Sequence, residues 1–378
     1  MPLLTEIVKK YSKSRILNGF NLGMCLHITY ETAVLVMALS KAGAKISLCA
    51  ANPLSSKNDV IDYLRSADVA VKVFVNKRDD LSSFYKNMDK VLDTKPQIIT
   101  DDGGELHKKA IFRGQSLAGG TEETTSGVNR LRILSREGLL SYPVIAVNQS
   151  NMKQLLDNKF GTGQSTLEGI INTTGVILAS KRIVVCGYGW VGKGVAKCAR
   201  GMGAKVTITE VDPMLALEAY FDGFEVSPLE KLLSSNDIFI TCTGQINVIG
   251  REHFGKLKDK AILCNAGHFD VEIDVKYLNE IDPGRFEPKP NVTCYHIGCN
   301  QNKKKVYVIT NGRVVNLIGA EGNSPEVMDI SFTNQFLAIV YLTKAGSTLT
   351  NRVYKPPRKL DMKLAQLALA AYGLEIDN

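Results

Sequence analysis

The sequence predicts an α/β protein of two doubly wound parallel sheets, with the second domain inserted into the first. Three observations carry this. The first 110 residues alternate helical and strand-like apolar patterns. A second alternation begins near Lys181, beside a glycine-rich loop. After residue 330 the pattern returns to helix alone. Alternating elements imply a parallel sheet covered by helices, and 378 residues suit two domains.

The elements follow in order. Residues 29–39 carry apolar side chains at helical spacing and run towards Gly43. Residues 45–50 and 69–75 read as strands, with a helix at 60–66 between them. A helix at 81–92 leads to a buried strand at 97–100, which runs into Asp101-Asp102-Gly103-Gly104. In the second cycle, strands fall at 182–186, 205–209, 237–241 and 261–265, with helices at 191–202 and 214–222. Residues 331–342 and 360–372 are helical. The expected divisions are 1–160 for the first part of one domain and 161–322 for the inserted domain. The returning helices take 323–362, and a short terminal helix takes 363–378. No short repeat or low-complexity segment interrupts this.

Composition excludes several classes. Hydrophobic residues make up 44% and charged residues 22%, an ordinary globular balance. No apolar run is long enough for a membrane span, so no membrane partner is expected. Met1-Pro2-Leu3-Leu4-Thr5-Glu6 lacks a basic stretch followed by an apolar one, so a cytoplasmic location is expected. The 8 cysteines are scattered and read as buried thiols. Cys294-Tyr295-His296-Ile297-Gly298-Cys299 resembles a ligand cluster but lacks a fourth zinc ligand. A strand with alternating side chains explains it, and no metal is expected. The net charge of +8 is spread along the chain, and Lys303-Lys304-Lys305 reads as a solvated hairpin turn. No nucleic-acid partner is expected.

The glycine-rich loop is Gly187-Tyr188-Gly189-Trp190-Val191-Gly192, with Lys193 and Gly194 following. It follows a strand and opens a helix, the setting in which G-x-G-x-x-G binds a dinucleotide. Gly187 permits the tight turn, Gly189 the close approach of a pyrophosphate, and Gly192 the packing of helix on sheet. The helix N-terminus offers N–H groups to the phosphates. Glu210 ends the next strand, where a carboxylate can accept from ribose hydroxyls and repels a 2′-phosphate. The expected cofactor is therefore NAD rather than NADP. A glycine-rich turn without a ligand is the plainer alternative.

Five further segments carry chemistry, each with a plainer alternative. In Leu26-His27-Ile28-Thr29-Tyr30-Glu31-Thr32, Thr29 suits an N-cap and Glu31 a first helical turn. Capping alone would account for the segment. Asp101-Asp102-Gly103-Gly104-Glu105 lies at the carboxyl end of a strand, where open parallel sheets bind ligands; aspartates also favour turns. Glu122-Glu123-Thr124-Thr125-Ser126-Gly127 is a hydroxyl-rich loop, or an ordinary capped one. In the segment 148–158, Lys153 and Asp157 share a helical face, as a surface ion pair or as a lysine tuned to deprotonate a hydroxyl. His268, in Asn265-Ala266-Gly267-His268-Phe269-Asp270, follows a strand of the nucleotide domain and either lines the site or faces solvent.

Taken together, and in this order, these segments resemble the S-adenosylhomocysteine hydrolase (adenosylhomocysteinase) family over nearly the whole chain. The match includes 26–34, 101–104, 122–127, Lys153 with Asp157-Asn158, 187–194, 265–274 and Ser331-Phe332-Thr333-Asn334-Gln335. The resemblance implies cleavage of a nucleoside thioether to adenosine and L-homocysteine through transient 3′-oxidation by tightly bound NAD, elimination and addition of water. It implies that Lys153 helps to remove the 3′-hydroxyl proton, with Asp157 orienting it. Asp102 and His27 would serve proton transfer at the 4′ carbon and the 5′ leaving group, and His268 would line the site. Thr29 and Glu31 would contact the purine, and Glu123 the ribose. Thr124, Thr125, Ser126, Asn158, the loop Gly187 to Gly194, Glu210, Asn265 and Asn316 would hold NAD. A homo-oligomer, a dimer or tetramer, is also implied.

Three departures from the family pattern stand out. Asn323 replaces the usual histidine of Gly-His-Pro, close to the purine, and offers an amide where an imidazole would titrate. Ser55-Ser56-Lys57-Asn58 replaces Ser-Thr-Gln-Asp. The usual Lys- and Tyr-bearing tail is not seen after Gly373-Leu374-Glu375-Ile376, and weaker NAD retention is expected. The first two make S-inosylhomocysteine the alternative substrate. A non-catalytic NAD-binding regulator would require loss of Lys153, Asp157, Asp102, His27 or His268, and all are present. A D-2-hydroxyacid dehydrogenase would share the inserted domain but leaves 122–126 and 148–158 unexplained.

Overall fold

The computed structural model describes residues 1–52, 56–76, 81–298 and 303–377. Two stretches singled out above reach outside them: Ser55 in the Ser55–Asn58 departure, and Cys299 in the cysteine-histidine cluster. The chain forms two units, Met1–Gln154 with Pro325–Asn378, and Leu155–Ser324.

In the first unit the strands are β1 (Asn21–Leu26), β2 (Lys45–Ala50), β3 (Val71–Val73), β4 (Ile98–Asp101), β5 (Gly119–Glu122) and β6 (Val144–Ala146), with a short strand at Val353–Tyr354. Their order across the sheet is Val353–Tyr354, β6, β5, β4, β1, β2, β3, and every pairing is parallel. β4, β5 and β6 are buried at every position. That is the pattern of strands covered on both faces, where burial does not alternate along the strand. The helix Tyr30–Lys41 starts where Thr29 accepts from the Thr32 N–H at 3.3 Å. It stops before Gly43, whose φ of 106° only glycine adopts readily. The long helix Pro325–Ala345 returns to this unit, and its buried Asp329 accepts from the N–H groups of Leu3 and Leu4 at 2.8 Å each. One carboxylate thereby caps the first helix, Pro2–Ser12, and ties the chain's start to its return.

Register positions the site. Cys25 on β1 lies opposite Asp101 on β4, and Asp101 opposite Glu122 on β5. The next residues along the chain therefore leave the sheet at one edge, its carboxyl end.

In the second unit the strands are β7 (Arg182–Cys186), β8 (Lys205–Thr209), β9 (Glu225–Val226), β10 (Ile238–Thr241), β11 (Ala261–Asn265), β12 (Phe286–Lys289), β13 (Val292–Ile297) and β14 (Lys304–Ile309). The order is β12-β13-β14-β11-β10-β7-β8-β9. β13 pairs antiparallel with both neighbours, so this sheet is parallel through its centre and mixed at one edge. Lys304 and Lys305 lie inside β14 and not in a turn: Lys305 is exposed, and half-buried Lys304 donates to the carbonyls of Gly255 and Leu257, while Val306 and Val308 are buried. Ile183, Val185, Ile208, Ile238 and Ile240 are fully buried between the sheet and its helices. Each such side chain contributes roughly 1.5–3 kcal/mol.

Candidate active site

In the first unit, His27 and Asp102 leave the ends of β1 and β4. His27 Nε2 lies 3.6 Å from Asp102 Oδ2, with the two side chains 12% and 16% exposed. A mostly buried imidazole beside a carboxylate can pass a proton in either direction. Thr29 and Glu31 sit half-buried at the start of the following helix. Glu123, just past β5, is buried. Thr124 caps the helix Thr125–Arg136, accepting from the Gly127 N–H at 3.0 Å, and the Ser126 hydroxyl donates to Thr124 Oγ1 at 3.3 Å. Residues 125–127 are therefore a first helical turn and not a loop. Asn148 donates to the Thr125 hydroxyl at 2.6 Å. The Lys153 side chain is buried, and its N–H donates at 3.3 Å to Ser150, whose hydroxyl is held by Asp361.

Lys153–Gly161 is a π-helix, wider than the α-helix whose spacing the sequence suggested. Such turns are rare and concentrate at functional sites. It carries Lys153, Asp157 and Asn158, and the boundary between the two units falls within it, after Gln154.

In the second unit, the glycine loop joins β7 to the helix Trp190–Gly201, which begins at Gly189 without a side-chain cap. Gly187 has φ 98°. A β-carbon on Gly192 would overlap the Gly187 carbonyl, and one on Gly194 the Lys159 carbonyl of the π-helix. Lys193 pairs with Glu218 at 2.6 Å, its ammonium lying over the Tyr188 and Trp190 rings. Glu210 accepts from the N–H groups of Tyr188 at 2.6 Å, Val211 at 2.7 Å and Asp212 at 3.1 Å. A carboxylate has about four acceptor sites, which leaves room for fewer ribose bonds than the sequence suggested.

Asn265 is buried and knotted into its own loop. Its amide donates to the carbonyls of Gly267, Phe269 and Gly312, and its oxygen accepts from the Gly267 N–H at 2.7 Å. It thereby shapes the loop holding His268, which is half-buried with its ring edge-on to Phe269 at 4.6 Å. The adjacent loop is fixed by Glu272, fully buried, which accepts from the Thr243 N–H, the Thr243 hydroxyl and the Gly244 N–H at 2.8–2.9 Å. Asn323 donates to Asp157 Oδ1 at 2.8 Å and to Thr162 at 3.2 Å. Its oxygen accepts from Ser165 at 2.8 Å and Asn316 at 3.4 Å. Both faces of this amide are engaged within the unit.

The second unit fits a dinucleotide. The helix N-terminus is uncapped at Gly189, beside which the space is open, while Gly192 and Gly194 have no room for a β-carbon. Asn316 Oδ1 is buried without a partner among the described residues, an acceptor suited to an amide donor such as that of nicotinamide. Reading the sequence alone missed Thr162 and Ser165, which hold Asn323, and the roles of Asp101 and Glu122. Asp101 and Glu122 were visible only as members of acidic doublets; strand register separates them from Asp102 and Glu123.

Comparison with known proteins gives two family matches. "S-adenosyl-L-homocysteine hydrolase" matches residues 1–116, and "S-adenosyl-L-homocysteine hydrolase, NAD binding domain" matches residues 158–322. The chain is 46% identical over 379 residues to the adenosylhomocysteinase of Sulfurisphaera tokodaii, covering 100% of this chain and 90% of that protein. It is 44% identical over 382 residues to the S-inosyl-L-homocysteine hydrolase of Methanopyrus kandleri, covering 100% and 89%. Among solved structures, a dipicolinate synthase of Bacillus halodurans shares the fold at a TM-score of 0.54 and 14% identity, covering 88% of this chain and 99% of that one.

Proposed function

The chain belongs to the S-adenosyl-L-homocysteine hydrolase family, and we propose that the residues gathered in its two units carry that reaction as follows. The reaction is the hydrolysis of S-adenosyl-L-homocysteine to adenosine and L-homocysteine, with NAD as cofactor. A thioether carbon is a poor target for water. NAD bound in the second unit supplies reversible oxidation of the ribose 3′-hydroxyl, and a 3′-ketone makes the neighbouring 4′ hydrogen acidic enough to remove.

Lys153, buried and fixed through Ser150, takes the 3′-hydroxyl proton. Asp157, held by Asn323, hydrogen-bonds the ribose. Asp102 and His27, 3.6 Å apart, move the protons at the 4′ carbon and at the departing 5′ sulfur. Glu123 holds the ribose, and Thr29 and Glu31 contact the purine. His268 lines the reaction site from its Asn265-knotted loop. Asn323 lies on the purine side, as the family pattern implies, and also holds Asp157 for the substrate. Thr124, Thr125, Ser126, Asn158, the loop Gly187 to Gly194, Glu210, Asn265 and Asn316 hold NAD.

What supports this reading most is the coexistence in one chain of the His27–Asp102 proton pair and a loop built for a redox cofactor. A dehydrogenase needs the second and one acid–base group for the hydroxyl proton; Lys153 together with the His27–Asp102 pair offers more than one. Side-by-side turnover of S-adenosyl- and S-inosyl-homocysteine tests the substrate: homocysteine release from the adenosyl compound is expected to dominate, and a strong preference for the inosyl compound overturns the reading. Work in the cytoplasm as a homo-oligomer belongs to the same proposal; among the described residues no helix is long and apolar enough to cross a membrane.

A further inference from the structure

No role above uses the buried carboxyl pair beneath the first unit's loops. Asp101 and Glu122 are both 0% exposed. An oxygen of each lies within 4.8 Å of the other and of a His107 ring nitrogen. Their hydrogen bonds differ in kind. Asp101 accepts on both oxygens: from the Asp102 N–H on Oδ1 and the His107 N–H on Oδ2, each at 2.9 Å. Glu122 accepts on Oε1 alone, from the Gly103 N–H at 2.9 Å, the Thr124 N–H at 2.9 Å and the Thr124 hydroxyl at 2.6 Å. Glu122 Oε2 is buried without a partner among the described residues.

Two carboxyl groups this close, out of water, do not both ionise. One of the two holds a proton, and the bonding decides which. On Asp101 it would meet an N–H donor at either oxygen. On Glu122 Oε2 it meets none.

We infer that Glu122 is a neutral carboxylic acid protonated on Oε2 and paired with an ionised Asp101, and that the two are positioning residues for the loops bearing Asp102 and Glu123. The peptides on either side of Asp102 are pinned, one by Asp101 and the other by Glu122. The same Glu122 oxygen holds Thr124, so one atom staples both loops. Gly127 leaves room for this, since a β-carbon there would overlap the Glu122 carboxyl.

The electrostatics agree. Burial pushes Asp101 up to about 7, and the Asp102 charge adds to this. Burial and then the Asp101 charge push Glu122 well above the carboxyl range. Three further titratable groups around the pair are uncharged at neutral pH. Burial lowers His107 to about 4, and the Cys25 thiol and Tyr142 hydroxyl are both raised.

The inference rests on the proposed roles of Asp102 and Glu123, and its test can fail separately from them. The infrared difference between wild-type holoenzyme and E122Q at neutral pH is expected to show loss of a protonated-carboxyl band. Loss of an ionised carboxylate band instead overturns the inference, whatever the enzyme turns over. In activity, D101N is expected to lower kcat/KM at least about tenfold further than E122Q, because an asparagine oxygen serves only one of two buried N–H donors. Glutamine, by contrast, keeps the Oε1 acceptor and puts a donor where the proton sat. Equal losses overturn the inference; if D101N fails to fold, the infrared result decides alone.

Discussion

A single amide illustrates how residues at this site depend on each other. Asn323 spends both its hydrogens and its oxygen on Asp157, Thr162, Ser165 and Asn316. Asp157 is 3% exposed, so losing a donor there is felt. N323A should lower kcat/KM roughly 10–100-fold, as expected for a lost hydrogen bond to a charged group worth about 1.5–3 kcal/mol, with kcat carrying most of the loss. Steady-state kinetics with circular dichroism to confirm folding reads this, and unchanged kcat would sink it. The sequence marked Asn323 as unusual and associated it with the purine. Nothing in its neighbours along the chain points to Asp157, which precedes it by a whole domain. His27 with Asp102 was legible as two motifs at strand ends; that they lie 3.6 Å apart follows only once β1 and β4 are known to be neighbours.

At the scale of elements, the close packing of helices around the cofactor loop is the most exposed to change. Gly194 lies where the helix Trp190–Gly201 crosses the π-helix Lys153–Gly161, and Gly163 meets Gly194 backbone to backbone. G194A must push the two helices apart, at a cost of about 1–3 kcal/mol for overpacking. A fall in Tm of several degrees is expected, at about 2–4 °C per kcal/mol for a domain of this size, together with easier loss of NAD on dialysis. A thermal melt and a count of retained nucleotide check both; an unshifted Tm would sink the packing argument. β2, β7, β8 and β11 coincide with the strands read from the sequence, because apolar runs between glycine and charged turns leave little choice. The π-helix was not legible. Its 153–161 pattern resembles any short helix, and the widened turn depends on packing against the glycines of a distant segment. β5 and β6 escaped notice because Gly119-Gly120 and three-residue lengths carry almost no periodic signal.

At the scale of the molecule, each unit is a parallel-rich sheet whose carboxyl-end loops are stapled by a buried glutamate, Glu122 in one and Glu272 in the other. Each accepts from the N–H and hydroxyl of a threonine and from a glycine N–H. The surface carries a different message. Val211, Met214, Leu217, Tyr220 and Phe221 form a row along and just before the helix Pro213–Phe221, exposed at 58–98%. A row of that kind suits burial against a second copy, so light scattering at micromolar concentration should read a dimer or tetramer; a monomer would overturn the proposed assembly. The glycines at 127, 163, 192, 194 and 267 share one constraint, that a β-carbon would meet backbone or a fixed carboxyl group. Every single-base change in a glycine codon that alters the amino acid introduces a β-carbon. A single-base change at any of these positions therefore costs packing, as at Gly194, unless the facing backbone or carboxyl group has moved first.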